Sequence, residues 1–133
     1  MKNFYDLRVK DVMNSFVWDM PLIESDADIR TVLLIIISRC YVWVVKSTES
    51  MEMVGVITEH DFLKMFQKFD PDATAEDFAT KDIIYCTMEE SVGDVMEKIR
   101  KYNVRRLPVL ENGKLVGEVT LRNLIGKFYS LVS

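Results

Sequence analysis

The stretch Gly55-Val56-Ile57-Thr58-Glu59-His60-Asp61 has a second copy in this chain. Sixty-two positions later stands Gly117-Glu118-Val119-Thr120-Leu121-Arg122-Asn123, and both copies read Gly-x-apolar-Thr-x-x-(Asp/Asn). The correspondence continues: Phe62 falls on Leu124, Leu63 on Ile125, Phe66 on Phe128 and Phe69 on Leu131. A repeat of this length constrains the fold more than any propensity does, because both halves must build the same supersecondary unit. The chain reads as a tandem duplication, with halves 1–71 and 72–133.

Within one copy, a β-branched run ends at a Thr suited to cap the helix that follows. The Thr hydroxyl can accept from N–H groups of the first turn, and the Asp three residues on can answer back, as in a capping box. The Gly allows close backbone approach. Hydroxyl, carboxylate and exposed N–H groups thus meet at one strand-to-helix junction, which suits a diol or a phosphate. The simpler reading is a helix cap alone, since capping boxes are common. Duplication in matching contexts adds weight to the ligand reading.

Residues 1–13 form a charged lead-in with a short helical turn around Leu7, Val9, Val12 and Met13, and Phe16 to Ile23 is expected to be extended. Ser25-Asp26-Ala27-Asp28 is a helix start. The helix to Arg39 carries Ile29, Val32, Leu33, Leu34, Ile35, Ile36 and Ile37, apolar nearly all round, so its second face is expected to be covered. Strands are expected at Tyr41–Val45 and Met51–Ile57, then a helix from Glu59 to Phe69 and an acidic connector with a helical turn near Glu76–Ala79. The second half replays this order. Lys81-Asp82-Ile83 echoes Lys10-Asp11-Val12, a helix spans Ser91–Tyr102, and strands Arg106–Leu110 and Leu115–Thr120 flank an Asn112-Gly113 turn. A last helix covers Arg122–Leu131. The offset between copies drifts from 62 to 63 toward the long helices, leaving the alignment of Tyr41–Lys46 open by one residue.

A chain of 133 residues with 49% hydrophobic and 29% charged side chains can bury one core or two small ones. A net charge of −4 speaks against a general nucleic-acid or anionic-membrane binder. Cys40 and Cys86 form no CxxC and read as small buried residues. The opening Met1-Lys2-Asn3-Phe4-Tyr5-Asp6 turns charged at once, and the run Val32–Ile37 is too short to span a bilayer. A cytoplasmic protein is expected.

Val9-Lys10-Asp11-Val12-Met13, the helix that follows, Arg106-Leu107-Pro108-Val109, the Asn112-Gly113 turn and Gly117-Glu118-Val119-Thr120 together resemble a CBS domain. The two halves resemble a CBS pair, or Bateman module, from about Leu7 to Phe128. The resemblance implies a mixed α/β fold of two βαββα repeats related by a pseudo-twofold axis. It implies sheets packed together, helices outside and two clefts between the repeats. It also implies an adenosine-containing ligand (AMP, ADP, ATP or S-adenosylmethionine), frequent dimerisation through helices, and regulation of a separate activity.

Carried over by position, Asp61 is the ribose carboxylate of the first site and Thr58 its companion. Asn123 stands where the second acid belongs, beside Thr120. An amide lacks the charge that raises a hydrogen bond from about 1 to about 1.5–3 kcal/mol, so the Asp61 site is expected to bind more tightly. Arg105 and Arg106, ahead of Pro108, stand where the family's nucleotide binders place basic residues on phosphate; the alternative is solvated arginines at a strand start. Arg39, Lys46 and Arg122 are weaker candidates. The first half offers Tyr41, Val42, Trp43 and Val44 there, a lining better suited to adenine or a thioether.

His60, an x position of the repeat, supports no catalytic constellation, and no catalytic residue or required cofactor is expected. Two readings remain. One is a regulatory module sensing an adenosyl ligand, a homodimer signalling in trans to an effector protein, since the repeats occupy nearly all the chain. The other is a dimerisation or docking module with vestigial clefts, favoured by the apolar helix Ile29–Ile37.

Overall fold

The computed structural model describes residues 2–133. Met1, where the charged opening of the sequence begins, lies outside the described residues. The elements are α1 (Lys2–Asp6), α2 (Val9–Val12), β1 (Leu22–Glu24), α3 (Ile29–Arg39), β2 (Tyr41–Val45), β3 (Met53–Thr58), α4 (Phe62–Gln67), α5 (Ala75–Phe78), α6 (Val92–Tyr102), β4 (Arg106–Glu111), β5 (Lys114–Thr120) and α7 (Leu121–Val132). They form two compact units, Trp18–Ile83 and Met1–Val17 with Ile84–Ser133.

In the continuous unit, β2 is the middle strand, parallel to β1 and antiparallel to β3. A central strand has no solvent face, so all five residues of β2 are buried and apolar. Helix α3 begins where Asp28 accepts the Thr31 N–H at 2.9 Å and ends at Cys40, whose φ of 73° stops it. Its buried stripe is Ile29, Val32 and Ile36. No described segment of this chain covers its second face: Leu34 is 67% and Ile37 80% exposed. Burial follows one helical stripe, with Leu33 and Ile35 packed at its edges and Leu34 and Ile37 exposed.

The discontinuous unit repeats the plan with the hairpin β4–β5. Asn112 and Gly113 turn it with φ of 54° and 78°, both left-handed, as a two-residue hairpin loop requires. Helix α6 is capped by Ser91, which accepts the Asp94 N–H, and stops at left-handed Asn103. It buries Val92 and Val95 and turns Asp94, Glu97, Arg100 and Lys101 outward. The place of β1 is taken by one residue, Cys86, bridged in parallel to Val109.

Local structure differs from expectation at several points, among them β3, which starts at Met53 and not Met51, and α4, which ends at Gln67 and not Phe69. Val17–Asp19 is a 3-10 turn inside the segment expected to be extended. The helix expected from Glu59 opens as a 3-10 turn, Glu59–Asp61, before α4. The counterpart of Val9–Val12 is Ala75–Phe78, not Lys81–Ile83. Both are single turns closed by an acid, with Arg8 N–H donating to Asp11 and Thr74 N–H to Asp77. Each is followed by a residue that bridges the strand after the glycine, Asn14 to Glu118 and Thr80 to Val56. Each sequence half therefore lends its opening turn to the strands of the other half.

The glycines make these bridges possible. A Cβ on Gly55 would lie 2.5 Å from the Thr80 carbonyl oxygen, and one on Gly117 2.6 Å from that of Asn14. Gly55→Ala and Gly117→Ala are each expected to destabilise by about 1–3 kcal/mol, because the obstructing atoms are backbone. Gly126, inside α7, meets nothing within 4 Å; Gly126→Ala is expected to stabilise by about 0.5–1 kcal/mol. Urea unfolding of the three variants checks the sign of each.

Candidate functional site

Thr58 ends β3 and Asp61 ends the 3-10 turn that follows. The Thr58 N–H donates to Asp61 Oδ2 at 2.8 Å, and its hydroxyl donates to the same oxygen at 3.4 Å. Among the described residues Oδ1 meets longer contacts, the Thr80 hydroxyl at 3.5 Å and Lys64 Nζ at 3.6 Å. Asp61 is 5% exposed. Lys64, three residues on from Asp61, is a contact that helical spacing could have disclosed. Thr80 is not, because only the bridge across Gly55 brings it there.

In the second half, the Thr120 N–H donates to Asn123 Oδ1 and the Asn123 N–H donates to the Thr120 hydroxyl, both at 3.0 Å. Here the hydroxyl accepts. The Thr58 hydroxyl instead donates to the Asp61 carboxylate. Arg106 pairs with Thr120 as Tyr41 pairs with Thr58. The Arg105 carbonyl accepts from the Leu121 N–H at 3.0 Å, and the Cys40 carbonyl from the Glu59 N–H at 3.2 Å. These matching bonds correct the offset of 62 to 63 read from the sequence: here it is 65, and Cys40-Tyr41 stand where the second half has Arg105-Arg106.

Pro108 is buried opposite Glu118, with its carbonyl accepting the Cys86 N–H at 3.1 Å. The weaker cationic candidates are dispersed. Arg39 donates to the Asp19 carbonyl, Lys46 lies 3.7 Å from Glu52, and Arg122 is exposed on α7. His60 is exposed, and among the described residues no cluster of His, Cys, Asp and Glu is placed to hold a metal. Among them, too, no helix is long and apolar enough to cross a membrane.

Capping geometry alone does not mark a site. Thr74 and Asp77 reproduce the Thr58–Asp61 bonds at 2.9 and 3.4 Å, and Thr87 and Glu90 at 2.7 and 3.3 Å. What separates Asp61 from Asp77 is burial: Asp77 is exposed.

The sequence matches the CBS domain twice, over residues 9–68 and 75–130. The chain belongs to the CBS domain family. It is 33% identical over 75 residues to an uncharacterized protein of Methanocaldococcus jannaschii, covering 56% of this chain and 27% of that protein. This CBS chain spans less than half the length of the curated relatives it matches first. Its fold is that of CBSX2, solved in complex with AMP, with a TM-score of 0.82 at 19% identity over 96% of this chain and 99% of the other. It is also similar to the CBS domain pair of protein MJ0100, solved with 5′-methylthioadenosine and S-adenosyl-L-methionine. There the TM-score is 0.72 at 25% identity, over 95% and 98% of the two chains. The fold is thus a mixed α/β arrangement of two CBS repeats, with sheets of three and two strands.

The two cysteines part company. Cys86 is buried, and burial, reinforced by the Glu90 charge and partly offset by Lys98, pushes its thiol up to about 12. Cys40, expected to be buried, is exposed, because the left-handed residue that ends α3 turns the chain at the surface. Under native conditions a thiol reagent is expected to label Cys40 and spare Cys86 until the protein unfolds. Peptide mapping after labelling, with and without denaturant, checks this.

Proposed function

We propose that this CBS pair is a regulatory module that binds an adenosine-containing ligand, AMP, ADP, ATP or S-adenosylmethionine, and signals its occupancy to a partner protein in trans. The observation that carries the reading is the division of labour within Asp61. Oδ2 is committed to the cap, while Oδ1, with contacts no shorter than 3.5 Å, is left to accept from a hydroxyl pair. A ribose diol supplies those donors, and a buried carboxylate holds them more strongly than a neutral acceptor does. The MJ0100 pair, 25% identical and solved with two adenosyl sulfur compounds, supports the ligand class.

In this reading the repeats are 1–71 and 72–133. Thr58 and Asp61 hold the ribose, Arg105 and Arg106 take phosphate oxygens, and Pro108, Thr120 and Asn123 line the second site. The protein works in the cytoplasm, regulates without catalysing, and needs no cofactor. Calorimetric titration with AMP, ADP, ATP and S-adenosylmethionine, beside mass spectrometry of co-purified small molecules, tests it. Asp61→Ala is expected to cost about 1.5–3 kcal/mol, roughly 10- to 100-fold in affinity, and Asn123→Ala less. No heat from any of the four and no co-purified molecule would leave Thr58–Asp61 a helix cap.

A second observation favours assembly as the output. The helices that start at the two motifs turn large apolar residues to solvent: Phe62, Leu63 and Phe66 on α4, and Ile125, Tyr129 and Val132 on α7. We infer a homodimer formed through these faces, in which a ligand at a helix start biases the surface of that same helix. Phe66→Glu and Ile125→Glu are expected to shift sedimentation toward the monomer without loss of helical content. A wild-type protein that sediments as a monomer would remove this reading.

A further inference from the structure

We propose that the second repeat receives the phosphate-bearing part of a ligand instead of a ribose diol, through a reversal of hydrogen-bond polarity between the two motifs. The proposal rests on the ligand-sensing reading above and deepens it. In both motifs the Thr N–H demands an oxygen, Asp61 Oδ2 in one and Asn123 Oδ1 in the other. A carboxylate then has a second oxygen to offer. An amide keeps one lone pair on Oδ1 and, in place of the second oxygen, presents Nδ2, with two protons and no acceptor capacity. The 3.0 Å bond from the Thr120 N–H fixes which end of the amide faces the backbone. Nδ2 donates to no other group among the described residues, and no buried side-chain polar atom among them lacks a partner, so it is open to solvent.

The strand beside each motif changes charge in step, from uncharged to cationic. Cys40-Tyr41 in the first repeat are matched by Arg105-Arg106 in the second, fixed by the bonds from Glu59 to Cys40 and from Leu121 to Arg105. The Arg105 side chain is exposed and makes no ion pair among the described residues. Arg122 adds a cation in the first turn of α7, while Arg106 and the buried carboxylate on β5, Glu118, each already make an interaction. The first motif therefore offers a buried acceptor beside an uncharged strand and one lysine, Lys64, and the second a donor among arginines. Diol protons match the former, and anionic oxygens match the latter.

The test is titration of the isotope-labelled full chain with inorganic pyrophosphate, AMP and adenosine, following the Asn123 side-chain NH2 and backbone resonances of Thr58 and Asp61. Pyrophosphate and AMP are expected to shift the Asn123 signals saturably, and adenosine to leave them in place. AMP shifts without pyrophosphate shifts would support a nucleotide as the phosphate's source. Asn123→Asp keeps an oxygen for the Thr120 cap and is expected to weaken pyrophosphate or AMP binding at this site by at least about tenfold. Arg105→Gln, which touches no cap, is expected to act in the same direction. Adenosine moving the Asn123 signals as strongly as AMP, neither anion moving them, or unchanged affinity in Asn123→Asp would overturn the proposal. Failure of the underlying reading shows separately, as adenosine-insensitive Thr58 and Asp61 resonances.

Discussion

The approach of two backbones at Gly55, and again at Gly117, is the contact on which the arrangement of each repeat depends. Val56 exchanges two hydrogen bonds with Thr80 at 3.0 and 2.8 Å, and Glu118 exchanges two with Asn14 at 2.9 and 2.8 Å. Either bridge requires the neighbouring residue to lack a side chain, since a Cβ would strike the facing carbonyl. The consequence reaches beyond a covered strand. The first bridge brings Thr80 within 3.5 Å of Asp61 and so sets the surroundings of the carboxylate. Both hairpins shift register just after the residue facing the glycine, between Val44 and Val45 and between Val109 and Leu110. A bulge there re-aims the strand.

Capping and binding draw on the same few atoms, and chemical type decides whether one side chain can serve both. A carboxylate has two acceptor oxygens, so Asp61 can end a strand and still present an oxygen outward. An exposed carboxylate such as Asp77 could do the same, but water competes for it on equal terms. Burial at Asp61 gives the second oxygen its value, because a desolvated charge rewards a donor more than a hydrated one does. The same logic makes Asn123 a change of function within the motif more than a conservative exchange.

What the sequence disclosed follows the range of the interactions. Helices α3 and α6 were legible because cap, apolar stripe and stop lie within one short segment, Asp28 to Cys40 and Ser91 to Asn103. The Asn112-Gly113 hairpin was legible for the same reason. The pairing of α2 with α5 was not: Lys81-Asp82-Ile83 looks more like Lys10-Asp11-Val12 than Ala75–Phe78 does, and only the bridges to Val56 and Glu118 decide the matter. The family resemblance set Tyr41 against the arginines, but the repeat offset did not, because α6 is followed by two more residues before its strand than α3 is. Of the candidate site, Thr58, Asp61, Thr120 and Asn123 could be named from spacing; Thr80 and the commitment of one oxygen to the cap could not.

The exchange of opening turns gives the two motifs unequal foundations. The unit Trp18–Ile83 is continuous, and the bridge at Gly55 joins segments within it. The other unit needs the lead-in and the last fifty residues to meet, which closes a loop over the whole intervening unit. Loop entropy grows only slowly with length, so the closure is tolerable once, but every interaction of the lead-in must help to hold it. Asn14 is the lead-in residue bonded to Glu118, and Glu118 is two residues from Thr120. A disturbance that draws the lead-in away therefore loosens the strand feeding the Thr120–Asn123 junction and leaves Thr58–Asp61 with its bridge intact. The two motifs share a sequence pattern, yet one is supported locally and the other by the far end of the chain.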